Sequence, residues 1–175
     1  MGSMIPKPDG CVAVDTEAEY AVFGRVLAQY DRYTGFSMAD VESPRLVRAY
    51  YAADTAGRPF AAAMLHQHDP HNRTAALCCI TNDEGQTDRM VPMIEWITGI
   101  AVLELGIDKV YTLVAEDSQE YSALFLAAGY SYDGFLRDHL LLPGGRRSDA
   151  YLISILKHEY ERQHCLHCML SKSDS

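Results

Sequence analysis

Residues 103–156 constrain the fold of this chain more than any other part of the sequence. An apolar helical pattern ends at Leu105-Gly106, an apolar strand follows over residues 109–114, and a short helical pattern closes on Ala128-Gly129. Two further strand-like stretches are separated by a turn at residues 143–145, which read Pro-Gly-Gly. A strand, a helix and a strand in succession need a crossover connection, whereas a hairpin needs antiparallel pairing. The segment therefore predicts a mixed α+β sheet.

The N-terminal half predicts one helix followed by three antiparallel strands. After a short strand at residues 11–14, Thr16 and Glu19 form a capping box that opens a helix ending near Gly35. Apolar or alternating stretches separated by turn residues predict strands over residues 45–54, 59–65 and 74–81, with a turn over residues 66–73. Residues 36–44 are compatible with a loop or a short helix.

The long central helix is predicted over residues 90–105, where Pro92 is tolerated in the first turn. A short helix over residues 119–128 and strands over residues 130–142 and 149–155 complete the order β-α-β-β-β-α-β-α-β-β. This order is typical of an α+β domain with a mixed, mainly antiparallel sheet flanked by helices.

Length and composition fit one globular domain. The chain has 175 residues, of which 48% are hydrophobic and 22% are charged. The domain is assigned to residues 4–157, because the first three residues read as a cloning remnant. Residues 158–175 are assigned to a polar C-terminal extension. The apolar run at residues 90–103 is too short for a membrane span, and no signal peptide is evident, so no membrane and a cytoplasmic location are expected.

Charge and cysteine content narrow the class of partner. The formal net charge is −9, which disfavours nucleic acid and weakly favours a cationic amine, although many soluble proteins are equally acidic. Five cysteines, two of them adjacent at Cys78 and Cys79, do not form a disulfide framework and indicate a reducing compartment.

Several of these residues resemble the C-terminal half of the GNAT superfamily of N-acetyltransferases. The similarity is carried by Leu105-Gly106-Ile107, by Gly129-Tyr130, and by residues 134–139, which read Gly-Phe-Leu-Arg-Asp-His. This similarity implies a GNAT-like fold and an N-acyltransferase that moves an acetyl or other acyl group from acetyl-CoA or another acyl-CoA to a primary amine by direct attack. It implies a small-molecule amine or a peptide N-terminus as acceptor and leaves a homodimer open.

The GNAT pattern for the CoA pyrophosphate, Gln/Arg-x-x-Gly-x-Gly/Ala, aligns with residues 86–91. Gln86 fits, but Arg89 and Val91 fill both small positions. Arg89 is able to replace lost amide contacts by binding phosphate directly. Alternatively, the acyl donor is an acyl carrier protein, or the chain is a non-catalytic binding module with the same fold. The similarity thus assigns donor binding to Ile80, Thr81, Gln86, Thr87, Arg89, Met90, Val91, Ser122 and Phe125.

The catalytic groups also depart from the family pattern. Family members usually place a tyrosine acid four residues before the glycine that corresponds to Gly129, where this chain has Phe125. Tyr121, one helical turn earlier, is the candidate acid, and Ser122 resembles part of the family's Asn-x-x-Ser segment. His139 is the candidate base because histidine is the residue type best suited to exchange protons at neutral pH; Asp138, His66 and His68 are weaker candidates.

Two further chemistries are weighed and disfavoured. One of Cys78 and Cys79 faces each side of its strand, but burial in an apolar strand opposes the thiolate that an acyl-cysteine intermediate needs. The tail contains zinc-ligand types at His164, Cys165, His167 and Cys168, yet lacks a second pair at known distance. No metal is predicted, and the tail is interpreted as a solvated helical extension.

Overall fold

The structure, a computed structural model, describes residues 6–34, 46–81, 87–142 and 144–170, without the side chains of residues 27–34, 87–88 and 165–170. The undecided segment 36–44 lies outside the described residues. The strands are β1 (Cys11–Ala13), β2 (Leu46–Ala53), β3 (Pro59–Asp69), β4 (Thr74–Thr81), β5 (Lys109–Ala115), β6 (Ser131–Leu141) and β7 (Arg147–Leu156). The helices are α1 (Glu17–Thr34), α2 (Thr87–Gly99), which continues as a π-helical turn (Ile100–Glu104), α3 (Gln119–Ala127) and α4 (Lys157–Leu170).

The seven strands form one sheet in the order β1-β2-β3-β4-β5-β7-β6. Every neighbouring pair is antiparallel except β4 and β5, which are parallel because α2 connects them. The predicted element order and the mixed, mainly antiparallel sheet are confirmed, with one helix added at the C-terminus.

Both faces of the central strands are covered. On one face, α2, α3 and α4 contribute buried side chains such as Met93, Phe125 and Tyr160 to the larger apolar core. On the other face, Phe23 and Val26 of α1 pack against β3 and β4. This two-sided burial explains why residues 59–65 read as a continuous apolar run rather than as an alternating one.

The capping box that opens α1 is present as predicted. The Glu19 carboxylate accepts from the Thr16 N–H at 2.8 Å, and the Glu19 N–H donates to the Thr16 hydroxyl at 3.3 Å. Local polar chemistry therefore fixes where this helix begins.

The central helix begins three residues earlier than predicted and changes its hydrogen-bond pattern at its end. The Leu105 N–H donates to the Ile100 carbonyl at 3.1 Å, which is the spacing of a π-helical turn. Gly106 then ends the helix with a φ of 69°, and Arg73 donates to its carbonyl at 3.0 Å. These contacts join the β3–β4 turn to the start of β5.

The predicted boundary of the third strand is wrong. β3 continues through Asp69, four residues beyond the predicted end, because its pairing with β4 resumes at Asp69 and Thr74. The Asp69 carboxylate accepts the N–H groups of His71 and Asn72, which confines the turn to the residues that follow.

The C-terminal extension is helical, as predicted, but its first turns are packed rather than solvated. Tyr160 is only 1% exposed, and its hydroxyl donates to the Glu95 carbonyl of α2 at 3.3 Å. A Cβ at Gly99 would lie 2.4 Å from that hydroxyl, so the glycine is what allows α4 to approach α2 this closely. Among the described residues, no helix has the length and apolar character needed to cross a membrane.

Candidate active site

A wedge-shaped cleft opens between the two parallel strands. β4 and β5 pair only over residues 74–76 and 109–111, at the start of each strand. Beyond this point β4 continues to pair with β3, and β5 continues to pair with β7. The edge of β4 over residues 77–81 is therefore not paired with β5.

Ile80 and Thr81 occupy the unpaired edge but turn their side chains away from it. Ile80 is buried in the apolar cluster under α1, and the Thr81 hydroxyl donates to the Phe60 carbonyl at 3.2 Å. Any role for these two residues in donor binding thus belongs to their backbone groups and stays a prediction.

Tyr121 of α3 reaches across the cleft toward β4. Its ring is partly exposed, whereas its hydroxyl is enclosed, lies beside the main chain of Cys79 and has no well-aligned hydrogen-bond partner in the part of the chain that the structure describes. Burial raises the pKa of Tyr121 well above its usual value, so the hydroxyl stays protonated at neutral pH. A buried hydroxyl without a partner is uncommon and calls for an explanation.

Ser122 follows Tyr121 on the same helix and shares this property. It is 3% exposed, and its hydroxyl also lacks a hydrogen-bond partner in the part of the chain that the structure describes. The sequence singled out both hydroxyls, but only the packing shows that each of them is enclosed.

Phe125 lies inside the core. It is fully buried, and its ring is 5.9 Å from that of Tyr121 and 5.2 Å from that of Tyr130. Phe125 therefore packs beside the ring of Tyr121, and it offers a ligand no polar group.

The start of α2 is the predicted pyrophosphate end of the cleft. Gln86 lies outside the described residues, and only the backbone of Thr87 is described. Met90 is fully buried and Val91 packs at the margin of the core, which leaves backbone amides as the groups these residues offer.

Arg89 is the one described cation in the first turn of α2. Its guanidinium carbon lies 4.3 Å from the centre of the Phe60 ring, and a guanidinium nitrogen lies 3.5 Å from the Ala53 carbonyl. These contacts direct Arg89 toward the β2–β3 hairpin. Its role in binding phosphate stays a prediction. To bind phosphate, the side chain would give up its contact with the Phe60 ring or with the Ala53 carbonyl.

The candidate bases lie on exposed parts of the sheet. His139 is exposed on β6, next to Asp138, which has a φ of 50° within a bulge opposite β7. His66 and His68 lie near the far end of β3, close to the residues where β4 and β5 still pair. His139 therefore remains the candidate base, as a prediction.

The adjacent cysteines have different surroundings. Cys79 is fully buried, and burial raises the pKa of its thiol well above the usual value, which opposes thiolate chemistry. Cys78 faces the other side of the sheet and is partly exposed.

Within the described part of the chain, no group of three or more His, Cys, Asp or Glu residues is arranged to hold a metal ion. Of the predicted zinc-ligand types in the tail, all but His164 have side chains outside the described set.

Sequence reasoning missed a set of polar contacts at the tip of the β6–β7 hairpin. Arg146 pairs with Asp117 at 2.9 Å, and the Asp149 carboxylate accepts the Asp138 N–H at 2.7 Å. Asp117 and Arg146 lie in turns, whereas Asp138 and Asp149 lie in β6 and β7, and the sequence alone does not indicate which of these charged residues meet.

The fold is that of solved N-acetyltransferases. A chimera of the Vibrio cholerae spermidine N-acetyltransferase SpeG and hSSAT is 18% identical to this chain with a TM-score of 0.71, covering 86% of this chain and 98% of its own. A point mutant of the same Vibrio cholerae enzyme is 16% identical with a TM-score of 0.69, covering 86% and 96%. These proteins belong to the GNAT superfamily, so the chain has a GNAT N-acetyltransferase fold, as predicted.

A third structure, a dodecameric form of the Vibrio cholerae enzyme, is 18% identical with a TM-score of 0.58 and covers 70% of this chain and 71% of its own. No protein-family model matches the chain, and a search of the curated proteins returned no match.

Proposed function

We propose that this chain is an N-acyltransferase that moves an acetyl group from acetyl-CoA to a primary amine by direct attack. The observation that carries the proposal is the enclosed hydroxyl of Tyr121, which lies beside the main chain of Cys79 where β4 and β5 have separated and has no well-aligned hydrogen-bond partner among the described residues. A bound thioester would supply such a partner, which supports ligand binding in the cleft.

Tyr121 acts as the proton donor. Because burial raises its pKa, the hydroxyl carries its proton throughout the neutral range. A thiolate expelled into the same dry cleft also has a raised pKa, since desolvation disfavours its charge. Because burial raises both pKa values, the raised pKa of Tyr121 does not by itself prevent proton transfer to the thiolate.

The unpaired edge of β4 supports the same reaction. Backbone N–H groups over residues 77–81 that face away from β3 have no β5 partner, and such donors stabilise the oxyanion that develops on the thioester carbonyl. The attacking amine must be neutral, and it loses one proton to solvent or to a base for which His139 is the candidate. That proton balances the one that Tyr121 gives to sulfur, so the products are an amide and a free thiol.

The acceptor is proposed to be a small cationic amine. The solved relatives named above are spermidine N-acetyltransferases, and a net charge of −9 attracts a polyamine by long-range electrostatics. A peptide N-terminus is the second candidate acceptor. An acyl carrier protein is the alternative donor, and because its phosphopantetheine arm also carries a phosphate, Arg89 does not by itself favour one donor over the other.

The test is acetyl transfer from acetyl-CoA to a panel of amines, beginning with spermidine, spermine, a monoamine and a short peptide, and monitored as release of free thiol. The Tyr121→Phe variant is expected to lower kcat about 100-fold, within the range for loss of a general acid. Tyr132→Phe serves as the matched control because it removes the hydroxyl of an exposed tyrosine on β6, and it should leave kcat unchanged. Wild-type kcat in Tyr121→Phe would contradict the assigned acid, and no transfer to any amine would contradict the acyltransferase itself.

A further inference from the structure

The tip of the β6–β7 hairpin is joined to the turn that leads from β5 into α3. The Arg146 guanidinium pairs with the Asp117 carboxylate at 2.9 Å. Next to this pair, the Glu116 N–H donates to the Asp149 carbonyl at 3.0 Å. One charged contact and one backbone contact thus connect the hairpin to residues 116–117.

The hairpin end that makes these contacts is stiff. Asp138 adopts a φ of 50°, which is costly for a residue other than glycine. Both of its backbone groups are held, because its N–H donates to the Asp149 carboxylate at 2.7 Å and its carbonyl accepts from Arg147 at 2.8 Å. A strained conformation persists where surrounding groups over-determine it, so this end of the hairpin is a defined surface rather than a loose loop.

The turn that the hairpin holds is also the start of α3. Ser118 accepts the N–H groups of Tyr121 at 3.0 Å and of Ser122 at 3.2 Å, so the first turn of the helix is built directly on the turn. A displacement of residues 116–118 therefore moves the Tyr121 hydroxyl relative to Cys79. Productive proton transfer depends on placement to within a fraction of an ångström.

We infer that the hairpin tip is a latch that positions Tyr121, with Arg146 and Asp117 as positioning residues for acyl transfer. The inference rests on the proposed role of Tyr121. Both side chains of the pair are more than half exposed, so the latch is weak and salt-sensitive, and its loss changes the rate a few-fold without unfolding the protein.

The kinetic test is a charge swap. Asp117→Arg and Arg146→Asp each place like charges together and are expected to lower kcat about threefold to fivefold, the range for an exposed ion pair, with the KM for acetyl-CoA unchanged. The double variant restores the pair with its charges exchanged and returns kcat to within about twofold of wild type. Glu161→Arg, which reverses one charge of the exposed pair with Lys157 on α4, is the matched control and leaves kcat unchanged.

Repeating the charge reversals in the Tyr121→Phe variant distinguishes a loss of Tyr121 positioning from a general loss of activity. When Tyr121 is already phenylalanine, the two charge reversals are expected to cause no further loss of kcat, because the group they position is gone. Losses that persist in the Tyr121→Phe background, or a swap that fails to restore kcat, overturn the inference.

A readout independent of transfer keeps the test valid if the proposed function fails. The N–H groups of Tyr121 and Ser122 donate to the Ser118 carbonyl, so their hydrogen–deuterium exchange reports on the first turn of α3. The exchange is measured by mass spectrometry on the peptide that covers residues 116–124. Each single reversal is expected to speed exchange of these amides about threefold, and the swap returns it to the original rate. Unchanged exchange in both single variants overturns the latch, whatever the outcome of the amine panel.

Discussion

The two ends of the cleft are built in different ways. At the α3 end, Tyr121 and Ser122 present enclosed hydroxyls that lack hydrogen-bond partners among the described residues. At the α2 end, the described cation, Arg89, is already in contact with the Phe60 ring and the Ala53 carbonyl. The hydroxyls at the α3 end therefore lack hydrogen-bond partners among the described residues, whereas the guanidinium at the α2 end already contacts other parts of the protein.

This difference indicates how much interaction free energy a bound ligand gains at each end of the cleft. Giving a partner to a buried hydroxyl recovers the desolvation penalty of that group, about 1–3 kcal/mol. Moving Arg89 onto a phosphate gains a charge-assisted contact but loses a cation–π contact of about 0.5–1 kcal/mol. The α3 end is therefore expected to contribute mainly to chemistry, and the α2 end to donor affinity.

The largest expected effect on stability concerns the contact between α2 and Tyr160 of α4. Gly99→Ala should lower the free energy of unfolding by about 2 kcal/mol, because its Cβ would meet the Tyr160 hydroxyl. In a Tyr160→Phe background the same substitution should cost less, because the hydroxyl is absent and the nearest ring carbon lies 3.3 Å from the new Cβ. Urea denaturation of the four variants gives both values, and a loss of equal size in both backgrounds would rule out this contact as the cause.

Tyr121→Phe should stabilise the free protein by about 1.5 kcal/mol, because it removes a buried hydroxyl that has no partner. Acetyl-CoA should then raise the melting temperature of the variant less than that of the wild type. Differential scanning calorimetry with and without acetyl-CoA measures both changes. A less stable free variant would mean that the hydroxyl has a partner in solution.

Arg89→Ala should weaken acetyl-CoA binding about tenfold, or about 1.4 kcal/mol, because the guanidinium is the described cation nearest the predicted pyrophosphate site. Binding of S-acetylpantetheine, which lacks the phosphates, should not change. Isothermal titration of the two donors into both proteins makes the comparison. Equal weakening of the two donors would show that Arg89 acts through the packing of Phe60 and not on phosphate.

The smallest effect is expected at Ser122. Ser122→Ala should stabilise the free protein by at most about 1 kcal/mol and leave kcat within about threefold, because its hydroxyl is enclosed but has no assigned proton transfer. Chemical denaturation and the amine assay provide the two measurements. A loss of kcat as large as that of Tyr121→Phe would move the role of acid to Ser122.

The order of elements and the start of α1 were predictable because they depend on local chemistry. The capping box at Thr16 and Glu19 satisfies helix N–H groups within four residues, and Gly106 ends a helix where only glycine adopts a positive φ at low cost. The end of β3 was not predictable in this way. It depends on pairing with β4, which resumes after a bulge at residues that resemble a turn.

The sequence by itself determined the fold class, the position of the crossover between β4 and β5, and the set of hydroxyl and cationic residues near it. The tertiary structure decided which of them face the cleft. Tyr121 has its hydroxyl beside Cys79 because Phe125 and the turn at Ser118 fix its ring and its helix, and Arg89 contacts the neighbouring hairpin. Side-chain direction and the enclosure of a polar atom depend on residues distant in sequence, so no local pattern encodes them.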